Sequence, residues 1–484
     1  MKKLPIGIQD FRELREGGCV YVDKTEYIHR LVTEGKYYFL SRPRRFGKSL
    51  LVNTLAELFQ GSRELFEGLW IEDKWDWEQR NPVLRIPFSL LNYQYEGLEG
   101  AINERLERVA GDYQVEISTS NPKIAFQELI EQLSEKHGKV VILIDEYDKP
   151  IIDYLEDVPK AEANRDILKT FYSVLKDLDA HIRLVFITGV SKFSRVSIFS
   201  ELNNLLDLTM AKAYAPMLGY TQEELEINFA DRIERIAPDF GGKEALLEAM
   251  RDWYNGYAWN KGQSKVYNPF SILSFFQVEE FNNFWFTSGT PTFLVKLLKE
   301  QGIYELDNTE LDTAALESFD LSHISEGALL FQTGYITIKE DMGFGLYRMG
   351  YPNREVRQSM LIHLATGYRE VSQGTGATPI LRMTHALRQG RPEELKTHIN
   401  ALLGSIPHNW HQPKEAYYHT IMHLAFSLIG VHIQSEIHTA KGELDSVVHT
   451  GHTVYVLELK IDKSAEEAIA QIKEKGYGQG YIGQ

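Results

Sequence analysis

Two separate groups of residues in this 484-residue chain have the types and spacing that phosphate chemistry requires. The first lies near the C-terminus, where Asp445 is followed by the tripeptide Glu458-Leu459-Lys460. Because side chains alternate along a strand, Glu458 and Lys460 would share one face while Leu459 points into the core. Two carboxylates and a lysine at the ends of neighbouring strands are the components of a metal-dependent phosphodiesterase site.

In such a site, Asp445 and Glu458 would bind Mg²⁺, which prefers a few carboxylates and keeps several waters. The metal ion would activate a water and stabilise charge on the scissile phosphate, while Lys460 positions that water or stabilises the transition state. The alternative is that these residues are solvated charges at strand ends. Further side chains that could complete the site are Glu415, Glu436 and Gln471.

The second group is a phosphate-binding loop that follows the predicted strand Tyr37–Leu40 and opens a helix. Amides near Gly47 would hold the β-phosphate, Lys48 would reach the β and γ phosphates, and Ser49 would ligate Mg²⁺. Arg42 stands where the usual first glycine would be. The segment predicted to bind ATP consists of Arg45, Phe46, Gly47, Lys48, Ser49 and Leu50.

Two acidic residues follow a second apolar run, the predicted strand Val140–Ile144. Asp145 suits the Mg²⁺ shell, and Glu146 suits the polarisation of the attacking water. Thr188 ends the next predicted strand and could sense the γ-phosphate. The alternative is a chance Gly-Lys-Ser and a surface turn at Asp145, which the occurrence of all these features in the right order disfavours.

Composition limits the classes of protein that the chain can be. Its length predicts two or three domains, and no apolar run approaches the ~20 residues that span a bilayer. The only cysteine is Cys19, which excludes an internal disulfide and favours a cytoplasmic protein without membrane partners. A net charge of −16 argues against non-specific coating of DNA, so a nucleic acid would have to meet a local basic groove or a metal ion.

The order of apolar patterns predicts an α/β fold with three parts. Apolar runs alternate with helical patterns up to residue 215, as in a parallel sheet domain. Residues 216–410 are predicted to form a mostly helical lid and connector that ends in the hinge Ser405–His408. Residues 411–484 are predicted to form an α/β domain in the order helix, three strands, helix.

Motifs along nearly the whole chain resemble the AAA-ATPase-like family of bacterial proteins. The resemblance rests on Tyr21-Val22-Asp23-Lys24-Thr25, Arg42 to Ser49, Ile144 to Pro150, Thr188 to Phe193 and Trp253-Tyr254-Asn255-Gly256-Tyr257. It implies a P-loop ATPase domain, and the arginine in place of the first loop glycine is usual there. Many members carry a C-terminal PD-(D/E)XK nuclease-like domain, which implies that Asp445, Glu458 and Lys460 form the corresponding site.

Two features depart from that nuclease-like pattern. Glu443 occupies a position that is commonly basic in the family, and residues 413–484 hold 6 Lys and 9 acidic residues, a net charge of about −3. The chain also stops at Gln484 before a further strand, so the domain is expected to lack its last strand and to leave an open sheet edge.

Several other residues allow two interpretations. Arg42, Arg44 and Arg45 could contact phosphate, and Arg195 could act as an arginine finger in a homo-oligomer, but ordinary surface charge is the alternative. The aromatic residues around Trp253 and Tyr267 could stack on bases, although core packing is favoured. The histidines His419 and His423 are one helical turn apart, yet structural roles are favoured over a shared metal.

These patterns together predict an ATP-binding and ATP-hydrolysing protein coupled to a metal-dependent nuclease-like domain that acts on DNA or RNA. The alternative is an ATP-driven switch whose inactive nuclease-like domain serves as a binding module for an unknown protein partner. A third hypothesis is an NTPase with no role on nucleic acid.

Overall fold

A computed structural model describes most of the chain in two compact units. The described residues are 1–118, 121–192, 198–199, 202, 204–262, 264–285, 292–303, 305–317, 325–369, 378–404, 415–429, 432–439, 442–450, 453–457 and 464–475. Unit 1 comprises Met1–Trp285 and Leu306–Glu355, and unit 2 comprises Phe286–Glu305 and Val356–Gln484. The predicted domain boundaries at residues 215 and 410 stay predictions.

Unit 1 contains a five-stranded parallel sheet of order β2-β3-β4-β1-β5. Strands buried on both faces are near-continuous apolar runs, which is why the sequence located three of them to within a residue. The strands are β1 (Tyr37–Ser41), β2 (Val83–Pro87), β3 (Val140–Asp145), β4 (Ile182–Gly189) and β5 (Leu206–Asp207).

Helices connect and cover these strands. Asp157 caps the helix that begins at Val158, and Pro159 in its first turn favours this start. The helices are α1 (Phe11–Glu16), α2 (Thr25–Glu34), α3 (Lys48–Gln60), α4 (Tyr93–Asp112), α5 (Pro122–His137), α6 (Lys149–Ile152), α7 (Val158–Tyr172) and α8 (Val174–Asp177).

The strand order brings three strand ends to one edge of the sheet. Strand β4 lies between β1 and β3, with Leu40 opposite Thr188 and Ile144 opposite Ile187. All three strands are parallel, so their carboxyl ends meet at the same edge. The residues that follow β1 and β3 therefore flank the end of β4.

In the described residues, the remainder of unit 1 holds six further helices and a small sheet. The helices before that sheet are α9 (Gln222–Asn228), α10 (Ala230–Ile236), α11 (Lys243–Tyr254) and α12 (Pro269–Val278). In unit 2, α13 (Thr292–Gln301) comes next in the chain. The chain then returns to unit 1 with β6 (Thr309–Asp312), α14 (Thr313–Glu317), α15 (Glu326–Thr333), β7 (Thr337–Gly343) and β8 (Leu346–Gly350).

The small antiparallel sheet, of order β6-β8-β7, was not predicted within the mostly helical middle region. Strands β7 and β8 are joined by Phe344-Gly345, and both residues have positive φ angles of 54° and 78°. This is the geometry of a tight hairpin turn, for which Asn-Gly is the usual signal. A phenylalanine in the first position gives no such signal, so the hairpin was missed.

Unit 2 is helical up to its C-terminal sheet. Its further helices are α16 (Arg354–Arg369, which begins at the end of unit 1), α17 (Thr378–Arg388), α18 (Pro392–Gly404), α19 (Glu415–Ile429) and α20 (Ala465–Lys475). Between the last two lie β9 (His432–Thr439), β10 (Gly442–Thr450) and β11 (Thr453–Leu457), in the antiparallel order β11-β10-β9. The predicted order of helix, three strands and helix is confirmed.

The last helix packs on the central strand of this sheet. Val447 of β10 is fully buried and contacts Val454, Val456 and Ile472, the last of which lies on α20. Within the described ranges, no helix has both the length and the apolar character that crossing a bilayer requires.

A buried ion pair fixes the N-terminal segment of unit 1. The Lys24 ammonium donates to both oxygens of Glu224 at 2.6 and 2.7 Å and to the carbonyl oxygen of Pro216 at 2.7 Å. Burial lowers the pKa of Lys24, and the charge of Glu224 opposes this shift. Glu224 also completes the capping box of α9 with Thr221, so one carboxylate holds two elements.

Replacement of Lys24 by methionine is expected to destabilise the protein. The change leaves Glu224 without its cation in a largely dry environment, and we expect the free energy of unfolding to fall by about 3 kcal/mol. Chemical denaturation measures this value. Arg235→Met, which breaks the exposed pair with Glu279, serves as the control and should cost less than about 1 kcal/mol. Equal effects of the two changes would contradict the account.

Candidate functional site

The phosphate-loop segment predicted from the sequence joins β1 to α3 at the carboxyl edge of the parallel sheet. Gly47 precedes the helix with φ of 89°, a left-handed conformation that glycine adopts without strain, and Lys48 is the first helical residue. The first turn of α3 therefore starts next to the ends of β3 and β4. This is the position in which helix amides and a lysine can meet a phosphate.

Lys48 is buried and faces its own loop. Its ammonium donates to the carbonyl oxygens of Arg42 at 2.9 Å and Pro43 at 3.0 Å. Burial lowers its pKa, and the carboxylates of Asp145, Glu146 and Asp148 oppose that shift in this order. A buried cation whose hydrogen bonds go to carbonyl groups would gain from a phosphate, because charge-assisted bonds are stronger.

Asp145 and Thr188 each present a buried oxygen without a hydrogen-bond partner in the part of the chain that the structure describes. These atoms are Oδ1 of Asp145 and Oγ1 of Thr188. Burial raises the pKa of Asp145, while a hydrogen bond from Ser49 lowers it. Buried polar atoms are nearly always satisfied, so an orphaned oxygen on Asp145, which interacts with Ser49 and Lys48, and another at the end of β4 fit the expected Mg²⁺ and nucleotide.

Glu146 occupies a strained turn directly after Asp145. Its φ angle is 54°, in the left-handed region that non-glycine residues seldom adopt. The next amide, of Tyr147, donates to the carbonyl oxygen of Thr188 at 3.1 Å and ties this turn to the end of β4. Such strain is retained where surrounding contacts over-determine the backbone, and it is common at functional sites.

Asp148, which the sequence did not single out, fixes the segment after β4. Its fully buried carboxylate accepts hydrogen bonds from the amides of Val190 and Ser191 at 3.0 and 2.7 Å and from the Ser191 hydroxyl at 2.7 Å. Burial raises its pKa, and the bonds from Ser191 lower it. The only sequence signal for Asp148 is that it is the third acidic residue in Asp145-Glu146-Tyr147-Asp148. In a sequence, such a run resembles ordinary surface charge.

Arg42 replaces the usual first glycine and has a structural position. It is 1% exposed, and it donates to the carbonyl oxygens of Ser41 and Thr209, both at 2.8 Å. Its guanidinium lies 4.2 Å from the ring centroid of Trp259. The side chain therefore ties the start of the phosphate loop to the segment after β5. This buried position differs from the ordinary surface charge that was the alternative for Arg42.

Aromatic residues from the middle of unit 1 pack around the phosphate loop. The ring of Phe46 lies 4.8 Å from that of Tyr257 and 5.2 Å from that of Trp259. Tyr254, Tyr257 and Tyr267 are buried. These buried positions agree with core packing, the favoured interpretation of the aromatic motifs. The same packing positions the phosphate loop.

Glu355 is a second buried acid that the sequence did not signal. Its carboxylate accepts hydrogen bonds from the amides of Phe284 and Trp285 at 2.6 and 2.7 Å and from the Ser271 hydroxyl at 2.7 Å. Burial raises its pKa to about 7, and the hydrogen bonds and Arg45 oppose the shift. Only the fold brings together three segments so distant in sequence.

The raised pKa of Glu355 predicts a pH-dependent stability. A raised acid pKa means that the folded state binds the proton more tightly, so this contribution is complete below the unfolded pKa and is lost as pH rises through 7. Relative to Glu355→Gln, we expect the free energy of unfolding to fall by about 2 kcal/mol between about pH 5 and pH 7. Denaturant titrations at both pH values measure it, and parallel curves for the two proteins would contradict it.

In unit 2, the strand pairing places one acidic position opposite another. Leu444 pairs with Ile437 and Ser446 with Ser435, so Asp445 on β10 lies opposite Glu436 on β9. Ser446 also pairs with Leu457, the residue before Glu458 in sequence. Glu458 and Lys460 of this unit, and Arg195 of unit 1, lie outside the described residues.

Two further residues that were predicted to contribute to the site in unit 2 lie on helices. Glu415 begins α19, and Gln471 lies on α20 beside Ile472, which packs on β10. His423 is buried, and its Nε2 lies 3.6 Å from an oxygen of Glu305. Among the described residues, no cluster of three or more His, Cys, Asp or Glu could hold a metal ion.

Comparisons with known proteins agree with this arrangement. A family model described as a predicted AAA-ATPase matches residues 5–199, and a model of the PD-(D/E)XK nuclease superfamily matches residues 413–484. An uncharacterized protein in the vnfD 5′ region of Azotobacter chroococcum mcd 1 is 41% identical over 500 aligned residues, covering 99% of this chain and 94% of its own.

Among solved structures, a match covers 95% of this chain and 93% of the ORC1 protein of Aeropyrum pernix in complex with DNA, at 11% identity and a TM-score of 0.28. A TM-score this low does not indicate a common overall fold. The family models and the full-length relative do indicate common ancestry. The chain belongs to the AAA-ATPase-like family and carries a PD-(D/E)XK nuclease superfamily domain at its C-terminal end.

Proposed function

We propose that this protein binds and hydrolyses ATP in unit 1 and couples that reaction to a metal-dependent nuclease-like domain acting on DNA or RNA. The observation that carries the ATPase proposal is that Asp145 and Thr188, at the carboxyl ends of β3 and β4, each carry an orphaned buried oxygen, and that the buried Lys48 acts on the charge of Asp145. These groups lie at the ends of three adjacent parallel strands or just after them. The family membership supports the same conclusion.

Each residue of the ATP site has a proposed role. The amides of residues 45–50 and the Lys48 ammonium bind the phosphates, replacing the bonds that Lys48 makes to its own loop. Ser49 and Asp145 hold Mg²⁺, which when bound neutralises charge that develops on the phosphates. Thr188 senses whether the γ-phosphate is present.

Glu146 is proposed as the base that polarises the attacking water. Glu146 is partly buried, follows the proposed Mg²⁺ ligand Asp145 in the chain, and lies in the strained turn directly after β3. The hydrogen bond from the Tyr147 amide to Thr188 prevents the turn from relaxing. Glu146 and Thr188 are thereby positioned by one backbone contact.

Replacement of Glu146 by glutamine is expected to separate binding from hydrolysis. The amide keeps the shape of the side chain but cannot accept the proton, so hydrolysis should fall about 100-fold while ATP affinity is retained. Phosphate release and the binding of a fluorescent ATP analogue measure the two properties. Glu135→Gln, an exposed change on α5, is the control. A Glu146→Gln protein that hydrolyses ATP at the wild-type rate would exclude this role.

The proposed nuclease site consists of Asp445, Glu458 and Lys460. Asp445 and Glu458 would hold a Mg²⁺ ion, whose chemistry is the activation of a water and the stabilisation of charge on the scissile phosphate. Lys460 would orient that water. The position of Asp445 opposite Glu436 in the β9–β10 ladder supports an acidic site at this part of the sheet.

A second candidate function is a switch in which the nuclease-like domain binds a partner without cleaving it. The acidic balance of residues 413–484 and the negative charge of Glu443 favour it, because both oppose the approach of a polyanion. The proposed domains are residues 1–215, 216–410 and 411–484. We also propose that the protein is cytoplasmic and that it binds a protein partner or forms a homo-oligomer.

Replacement of Asp445 by alanine distinguishes the two functions. Removal of a metal-binding carboxylate is expected to abolish Mg²⁺- or Mn²⁺-dependent cleavage of single- or double-stranded DNA or RNA, while leaving ATP hydrolysis intact. Glu474→Ala removes the same charge from an exposed site on α20 and should cleave like wild type. Unchanged cleavage by Asp445→Ala would exclude this site, and absence of cleavage by all three proteins would favour the switch.

A further inference from the structure

The chain leaves unit 1 at two points that are distant in sequence. It passes into unit 2 after Trp285, returns at Leu306, and leaves again after Glu355. The two exit residues, Trp285 and Glu355, both lie within unit 1. The contacts that restrain Trp285 and Glu355 determine how firmly unit 1 holds the segments that lead out of it.

Glu355 joins the two exits through one carboxylate. Its Oε1 accepts hydrogen bonds from the amides of Phe284 at 2.6 Å and Trp285 at 2.7 Å. Its Oε2 accepts from the hydroxyl of Ser271 on α12 at 2.7 Å. Glu355 is fully buried, so these bonds are shielded from water and are costly to lose.

The phosphate loop contacts the same dipeptide from its other side. The indole nitrogen of Trp285 donates to the carbonyl oxygen of Arg44 at 3.2 Å, and the Arg45 guanidinium donates to the carbonyl oxygen of Phe284 at 3.4 Å. Arg45 also lies 3.7 Å from the ring centroid of Phe270. Phe284-Trp285 is thus held between the loop and Glu355.

Arg45 is the component of this contact that a bound nucleotide would affect most. It lies in the loop itself, two positions before Gly47, with φ of 68°. Its bond to the Phe284 carbonyl is long, and its other contact is a ring face. A guanidinium binds phosphate more strongly than it binds a carbonyl oxygen. The guanidinium and the phosphate carry opposite charges, and they can form two parallel hydrogen bonds.

The charge of Glu355 works against that transfer. Burial lowers the pKa of Arg45, and the negative charge of Glu355 opposes the shift. Above pH 7, where Glu355 is ionised, the guanidinium is therefore attracted toward it in the absence of nucleotide, and phosphates in the loop would compete for the guanidinium. One cation shared between two anionic groups can be held by only one of them at full strength.

We propose that Glu355 is a positioning residue that links occupancy of the phosphate loop, through Arg45, to both points where the chain leaves unit 1. This inference rests on the proposed nucleotide binding. With the loop empty, Arg45 holds the Phe284 carbonyl while Glu355 holds the adjoining amides. With phosphates bound, Arg45 turns to them, and the dipeptide loses the bond from Arg45 while its bonds to Glu355 and to Arg44 remain.

Hydrogen exchange of the full-length protein tests the link. The probe is the non-hydrolysable analogue AMP-PNP with Mg²⁺, and the amides followed are those of Phe284 and Trp285. In wild type we expect exchange to become about fivefold faster on binding, the factor that corresponds to the net free energy of one hydrogen bond. In Glu355→Gln, which lacks the charge, exchange should be fast with and without the analogue.

A purely structural role for Glu355 would give a different pattern. Glu355→Gln would then raise exchange in both states but keep the fivefold difference between them, and that result would overturn the proposal. Glu279→Gln, on an exposed glutamate paired with Arg235, is the matched control and should behave like wild type. Unchanged or slower exchange in wild type with AMP-PNP bound would also overturn it.

A second variant covers the case in which Glu355→Gln does not fold. Phe270→Leu removes the ring beneath Arg45 at a partly exposed position, so Arg45 should be held less firmly and the nucleotide-dependent difference should shrink. An undiminished difference would contradict the proposal. Binding of the analogue is measured on the same samples: absence of binding by wild type refutes the proposed ATP site, whereas binding without altered exchange refutes only the link.

Discussion

The burial of Lys48 and Asp145 at one edge of a parallel sheet is the constraint on which the rest of unit 1 depends. Burial of these charged groups costs free energy, and for this reason it lowers the pKa of Lys48 and raises the pKa of Asp145. The parallel strand order brings both residues to one edge of the sheet, where the opposite charges of Lys48 and Asp145 partly offset this cost. Arg42, Asp148 and Glu355 then hold the surrounding segments so that the arrangement persists.

Much of this site could be predicted from sequence, because it depends on local patterns. A strand followed by Gly47-Lys48-Ser49 and an apolar run ending in Asp145-Glu146 have short-range signatures, and the structure places them at one edge of the sheet. Asp148 and Glu355 could not be identified in this way. Their roles depend on partners far along the chain, such as Ser191 and Phe284, which only the folded structure brings into contact.

The C-terminal domain shows the same limit from another side. The order of helix, strands and helix follows from alternation and turn signals, and it is confirmed. The position of Asp445 opposite Glu436 depends on the register between two strands, which a one-residue slip would change. The hairpin at Phe344-Gly345 was missed for a related reason: Phe344 adopts a left-handed backbone that its residue type does not favour, and Gly345 alone is too weak a turn signal.

The central claim is that nucleotide in unit 1 controls the nuclease-like domain of unit 2. The most direct test compares metal-dependent cleavage of single- and double-stranded DNA and RNA by wild type and Lys48→Ala, each with and without ATP. The account predicts that ATP changes the cleavage rate of wild type and has no effect on Lys48→Ala, since that protein lacks the buried cation of the phosphate loop. Equal cleavage by both proteins in both conditions would contradict it.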